Sequence, residues 1–314
     1  MTLAFVFPGQ GSQEIGMGRA LIEAFPAARL VFEEVDSALG QNLSKIILEG
    51  PIETLTLTEN AQPALMAVSL AAAGALKAEF GVGIEAAAYV AGHSLGEYSA
   101  LAAAEALTLS DTAKLLKLRG QAMQRAVPVG EGAMASLIGP KVDMALAEAA
   151  AAEGAKAGVC VVANDNNPGQ IVISGSKVGV EAGVAAAKAM GGKAILLNVS
   201  APFHSPLMAP AEEEMRAALA GATIRAPRVP VIANITAAPV TDPEEIRKLL
   251  VQQVTGRVRW RESMLWLGQN ANVNRIVELG AGKALAGMAK RLVPDAESLS
   301  VNDPDGLKAF AASL

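Results

Sequence analysis

Short apolar runs alternate with longer stretches of helical periodicity along this chain. The run Leu3–Phe7 is closed by Pro8-Gly9-Gln10-Gly11, which predicts a buried strand and then a tight loop. Helical spacing follows over 17–39. Thr58-Glu59-Asn60 supplies capping side chains ahead of an alanine-rich helix over 64–79. A second apolar run, 87–91, ends at Gly92, and the pattern is helical again from Glu97. Ser110-Asp111 reads as the cap of a further helix, which carries Arg119 and Met123.

The order then changes. Residues 134–138 read as a strand, 142–153 as a helix, and 159–163 and 170–174 as strands. Asn164-Asp165-Asn166-Asn167-Pro168-Gly169 separates those two strands as a loop. A helix over 177–190 and a strand over 194–199 complete a β-α-β-β-α-β, ferredoxin-like arrangement. The larger unit resumes with a strand over 229–235 and a helix capped by Thr241-Asp242 with Pro243 in its first turn. A helix over 260–269, a strand over 275–279, the turn Gly280-Ala281-Gly282 and a helix to Leu292 follow. Strands alternating with helices imply an α/β fold with a mostly parallel sheet covered on both faces. The expected division is 1–128 with 199–314 as the large unit and 129–198 as the small one.

Composition adds limits. Hydrophobic residues make up 52% and charged residues 18%, which suits a well-buried core and argues against disorder. The net charge is −5 and no Lys/Arg run exceeds a pair, so a nucleic-acid footprint is not expected. Cys160 is the sole cysteine and sits in an apolar stretch, where it reads as a small buried hydrophobe. The first apolar run has no basic residues ahead of it and is too short for a signal peptide. The stretch 64–76 is too short to span a bilayer. A soluble, cytoplasmic protein without membrane contact is expected.

The candidate chemistry centres on Gly92-His93-Ser94-Leu95-Gly96, placed between a predicted strand and a predicted helix. That is the context of a nucleophile elbow. Side chains at 92 and 96 would collide with neighbouring backbone. The turn lifts the Ser94 hydroxyl out of the sheet and aims the Leu95 N–H at a developing oxyanion. A serine hydroxyl needs a base, and the chain has two histidines. His93 adjoins Ser94, and adjacent side chains on such a turn diverge. That leaves His204, in a loop stiffened by Pro202 and Pro206. Many acids lie between Ser94 and His204, and the residues single out none to orient the imidazole; a backbone or amide carbonyl could serve. Arg119, taken alone, reads as a surface arginine favoured by its helix dipole. Gly280-Ala281-Gly282-Lys283-Ala284 lacks the spacing of a phosphate loop, and Glu14 breaks a dinucleotide fingerprint at Gly9-Gln10-Gly11. No metal-ligand cluster is evident.

Several motifs in order carry a resemblance over nearly the whole chain. They are Phe7-Pro8-Gly9-Gln10-Gly11-Ser12-Gln13, Thr58-Glu59-Asn60-Ala61-Gln62-Pro63-Ala64-Leu65, Gly92-His93-Ser94-Leu95-Gly96-Glu97-Tyr98, Arg119-Gly120, Pro168-Gly169-Gln170, Phe203-His204-Ser205 and Glu278-Leu279-Gly280-Ala281-Gly282-Lys283. With these the chain resembles bacterial malonyl-CoA:acyl-carrier-protein transacylases, and more loosely the acyltransferase domains of polyketide and fatty-acid synthases. The resemblance implies an α/β-hydrolase-like parallel core with an inserted ferredoxin-like subdomain. It implies Ser94 as acylated nucleophile, His204 as its base, and the backbone carbonyl of Gln253 as the group that holds the imidazole. It implies oxyanion donors at Gln10 and Leu95, and Arg119 as clamp for the malonyl carboxylate. Met123, Asn164 and Phe203 join as substrate-binding residues, Phe203 leaving little room for an α-methyl group or else simply packing. The implied substrates are malonyl-CoA and holo acyl carrier protein, with no permanently bound cofactor and a monomeric enzyme. Lys290 and Arg291 are candidates for carrier docking. Rival readings are a serine esterase or thioesterase, an acyltransferase serving a polyketide system, and a non-catalytic carrier-docking module.

Overall fold

The computed structural model describes residues 2–199 and 201–314. Among the described residues ten strands form two sheets. They are β1 (Leu3–Phe7), β2 (Tyr89–Gly92), β3 (Gly132–Ile138), β4 (Cys160–Asn167), β5 (Gln170–Ser176), β6 (Lys193–Leu196), β7 (Val231–Ile232), β8 (Pro239–Val240), β9 (Arg275–Leu279) and β10 (Glu297–Val301). The larger sheet has the order β10-β9-β1-β2-β7-β8, parallel except for the β7–β8 pair. The expected mixed α/β architecture is therefore present. In β1, Leu3, Phe5 and Phe7 feed one core, and Ala4 and Val6 feed another on the opposite face. Burial on both faces is why the strand reads as a continuous apolar run.

The smaller sheet is antiparallel throughout, in the order β4-β5-β3-β6, and its chain order is β-α-β-β-α-β. One face carries Ala135, Leu137, Ile171 and Ile173 into a core of its own. The opposite face sends Met134 and Val172 into the main core. Strand β4 is stitched to the larger unit. Val258 N–H donates to the Ala163 carbonyl (2.8 Å), and Asp165 N–H donates to the Val258 carbonyl (2.9 Å). Arg261 pairs with the buried Asp165 at 2.8 Å.

Several expected elements need correction. The helix over 17–39 is two, Arg19–Ala24 and Pro26–Leu39, because Phe25 precedes a proline and is extended. The alanine-rich helix is Thr58–Phe80 and has no side-chain cap. Its first turns are buried, and Asn60 and Gln62 bond to other elements instead of capping. The whole helix is long and apolar enough to cross a membrane, yet most of it is buried inside the fold. Thr108, not Ser110-Asp111, caps Leu109–Ala126 by accepting from the Asp111 N–H. Residues 164–167 are strand rather than loop, because β5 on one side and Val258 on the other pair with them. The strand expected over 229–235 shrinks to β7, since Pro230 has no N–H and the chain turns away at Asn234. Strand β10 and the helix Pro304–Ala312 lie beyond the last expected element.

Candidate active site

Strands β1 and β2 are parallel neighbours, with Phe7 beside Gly92. Their carboxyl ends therefore open at one sheet edge, and the loops that follow bring Gln10 and Ser94 together. Strand β1 lies between β2 and β9: the chain builds outward from it through β2 and β7, then crosses to its other side for β9 and β10. The loop after β1 therefore sits where the strand order reverses, the switch point at which α/β sheets form crevices.

At the edge of β2 the chain turns sharply into the helix Leu95–Ala103. Ser94 takes φ 54°, ψ −109°, a conformation that costs energy in a non-glycine residue. The turn is closed so tightly that a Cβ on Gly92 would lie 1.9 Å from the Gly96 carbonyl. One on Gly96 would lie 2.2 Å from the Phe7 carbonyl oxygen. Asn234, just past β7, braces the turn. Its Oδ1 accepts the Ser94 N–H (2.7 Å) and its Nδ2 donates to the Gly92 carbonyl (2.7 Å).

His204 arrives from the loop after β6 and is 4% exposed. Its Nδ1 faces two carbonyl oxygens, Gln253 at 2.9 Å and Gly256 at 3.1 Å. Carbonyls only accept, so the proton belongs on Nδ1. Nε2 then presents its lone pair to Ser94 Oγ, 2.8 Å away. Burial first, and the charge of Arg119 second, push the His204 pKa down to about 3, so the ring is neutral and able to accept a proton. His93 points elsewhere: its Nε2 meets Asn166 Oδ1 at 2.8 Å, and its ring packs on Trp260.

Arg119, which alone reads as a surface residue, is 1% exposed. It donates to Gln62 Oε1 (2.7 Å), Gln253 Oε1 (2.9 Å) and Ser94 Oγ (3.1 Å). Its Nε has no partner. The guanidinium is thus a buried cation surrounded by neutral oxygens, with open capacity for an anion. Glu97, also buried, accepts from Gln253 Nε2 (2.7 Å) and the Asn234 N–H (3.1 Å). Burial raises its pKa to about 7.

A cavity of about 310 Å³ joins these groups. Of the residues expected to react with or bind the acyl group, Gln10, Ser94, Leu95, Arg119, Met123, Asn164, Phe203 and His204 border it, while Gln253 sits behind; the docking candidates Lys290 and Arg291 lie outside it. Leu95 is the first residue of its helix, so its N–H has no intrahelical acceptor. Asn234, Glu97 and Gln62 escaped the sequence reading as site residues. A signal existed for Asn234, which ends an apolar run beside the elbow strand, where α/β sheets place functional groups. Among the described residues no group of His, Cys, Asp and Glu side chains could hold a metal ion. The turn Gly280-Ala281-Gly282 is no phosphate cradle. Glu278 already accepts the Ala286 N–H at the helix start, where a phosphate would sit.

The acyl transferase domain family matches residues 4–282. The malonyl CoA-acyl carrier protein transacylase of Bacillus subtilis (strain 168) is 44% identical over 99% of this chain and 97% of its own length. Among solved structures, the acyl-carrier-protein-S-malonyltransferase from Bartonella henselae is 53% identical. It superposes with a TM-score of 0.96 over 100% of this chain and 99% of its own. A malonyl-transacylase solved in complex with a type II PKS acyl-carrier protein is 38% identical, with a TM-score of 0.95 over 100% of both chains. On this evidence of sequence and shape together, the chain belongs to the malonyl-CoA:acyl-carrier-protein transacylase family of acyltransferases.

Proposed function

We propose that this chain moves a malonyl group from malonyl-CoA to the phosphopantetheine thiol of acyl carrier protein through an ester on Ser94, supplying extender units for fatty acid synthesis. The observation that carries the reading is the 2.8 Å contact between Ser94 Oγ and the unprotonated Nε2 of His204 beside a buried Arg119 whose hydrogen bonds go to Gln62, Gln253 and Ser94. Ser94 Oγ attacks the thioester carbon while its proton passes to His204 Nε2. The oxyanion rests on the N–H groups of Leu95 and Gln10. The C–S bond breaks, and coenzyme A leaves as a thiol with the proton from His204. In the second half the carrier's thiol gives its proton to His204 and attacks the ester carbon. Ser94 recovers its proton as the C–O bond breaks. Arg119 pairs with the malonyl carboxylate, and an acetyl group would leave that cation unpaired. The Gln253 carbonyl holds the imidazole.

Met123, Asn164 and Phe203 shape the pocket around the acyl group. Lys290 and Arg291, both exposed on one helix end, are the basic residues offered to the acidic carrier. The division into 1–128 with 199–314 and 129–198 follows the two sheets. The β4-β5-β3-β6 order supports a ferredoxin-like small unit, and the strand–elbow–helix supports a hydrolase-like large one. The enzyme works as a cytoplasmic monomer, with coenzyme A thioester as substrate and no resident cofactor, nucleic acid or membrane.

Intact mass spectrometry tests this. Malonyl-CoA alone should add one malonyl group to the wild type and none to Ser94→Ala, and holo carrier protein should then remove it. A malonyl adduct retained by Ser94→Ala, or coenzyme A release with water as the only acceptor, refutes the reading.

A further inference from the structure

Behind the reaction chamber lie two buried side chains, Glu97 and Gln253, that the proposed chemistry does not itself consume. Two donors fall on a single oxygen of the Glu97 carboxyl, Oε2: Gln253 Nε2 at 2.7 Å and the Asn234 N–H at 3.1 Å. Gln253 Nε2 also donates to the Ser94 carbonyl at 3.0 Å. With its N–H groups committed on that side, the Gln253 amide turns Oε1 to the Arg119 guanidinium, 2.9 Å away. The backbone carbonyl of the same residue holds His204 Nδ1. Gln253 thus meets Arg119 through its side chain and the base through its main chain.

A carboxamide has two ends of nearly equal shape and opposite polarity. Turned over, the Gln253 amide would set an N–H group against a guanidinium that can only donate, and its oxygen against a backbone carbonyl that can only accept. The Ser94 carbonyl takes one amide N–H, and Glu97 takes the other in the shorter bond. Without Glu97 that second N–H would be buried and unpartnered, and the orientation of the amide would lose half its hold. The Glu97 carboxyl can do this with or without a proton. Both bonds fall on Oε2, which leaves Oε1 to carry the proton.

From this geometry we propose that Glu97 is a positioning residue: by holding the Gln253 carboxamide in one orientation it fixes the Arg119 guanidinium for the carboxylate of the acyl group. The proposal rests on the function above, in which Arg119 pairs with the malonyl carboxylate. Preference for a charged acyl group then belongs to three side chains in series, Glu97, Gln253 and Arg119, and the far end of the series touches no substrate.

The test reads the ratio of kcat/KM for malonyl-CoA to kcat/KM for acetyl-CoA. Glu97→Met keeps the length of the side chain and removes the acceptor. It should lower the ratio roughly ten- to hundredfold, the effect of one hydrogen bond to a charged group. Any loosening of Asn234 acts on both thioesters alike and cancels in the ratio. Glu97→Gln, whose carbonyl oxygen can take both donors, should hold the ratio within about threefold of wild type. Gln253→Met keeps the backbone carbonyl on His204 and should lower the ratio as Glu97→Met does. The double variant should fall no further than either single one. An unchanged ratio in Glu97→Met or Gln253→Met, equal losses in Glu97→Gln and Glu97→Met, or additive losses in the double variant would each overturn the proposal. Gln253→Met decides it even where Glu97→Met does not fold. A wild type that forms no acyl-enzyme from malonyl-CoA refutes the underlying function instead, and the proposal falls with it.

Discussion

Replacing Arg119 by methionine sets two effects against each other. In the free enzyme the guanidinium has no carboxylate partner in hydrogen-bond range, only the oxygens of Gln62, Gln253 and Ser94. Removing it orphans two carboxamide oxygens at roughly 1–3 kcal/mol each. It also removes a buried charge whose desolvation costs several kcal/mol. The two should cancel to within about 2 kcal/mol, a Tm change below about 8 °C at roughly 2–4 °C per kcal/mol. With malonyl bound the balance differs, because a buried pair is then broken at roughly 3–5 kcal/mol. That corresponds to a loss of roughly one hundred- to a few thousandfold in kcat/KM for malonyl-CoA. Acetyl-CoA, which has no carboxylate, should lose less than about tenfold by the same arithmetic. Thermal unfolding and steady-state coenzyme A release with both thioesters read all three numbers. A Tm drop well beyond 10 °C, with malonyl and acetyl activity falling in parallel, would show that Arg119 only holds the fold.

Other outcomes follow from the same geometry. Asn234→Ala strips partners from the Ser94 N–H and Gly92 carbonyl; acyl-enzyme formation in stopped flow should slow at least tenfold with KM little changed, and an unaltered rate removes the brace. Glu97 has its pKa raised to about 7, so its protonated form stabilises the fold fully below about 4.5 and that contribution is lost as pH rises through 7. Glu97→Gln should therefore gain Tm relative to wild type at pH 8 and not at pH 4.5; the same difference at both would refute the burial argument. His204, held neutral down to about 3, should leave kcat/KM free of an inflection near 6.5. Its share of stability is complete above 6.5 and falls as pH drops toward 3, because the unfolded chain takes the proton first. A single ionisation near 6.5 in the pH–rate profile would contradict the buried imidazole.

Much of the site was legible because its signals are local. The elbow glycines, the apolar run before them and a chain with only two histidines lead to Ser94 and His204 without coordinates. Arg119 was not legible unaided, since helical spacing cannot tell a surface cation from one buried by the helix Thr58–Phe80. Asn234 and Glu97 act through contacts more than a hundred residues apart in the chain, which no window of sequence reports. Among the elements, long periodic helices such as Trp260–Gln269 fell where expected. The edge strand β10 did not: Ser298-Leu299-Ser300-Val301 alternates, but four residues are too few to set a strand apart from a loop. The helix Pro304–Ala312 announces itself with Asp303-Pro304, the same signal as Asp242-Pro243, and was legible in principle.

The hydrogen bonds joining Ser94, His204, Gln253, Glu97 and Asn234 all run between segments outside 132–196. The four-stranded sheet meets the elbow beside this web, where Asn166 Oδ1 lies 2.8 Å from His93 Nε2. The groups that place and hold the reacting alcohol therefore come from stretches of polypeptide outside the small sheet. A relative's 132–196 segment grafted here, with the β4 stitch to Val258 kept, should leave that alcohol and its imidazole in register.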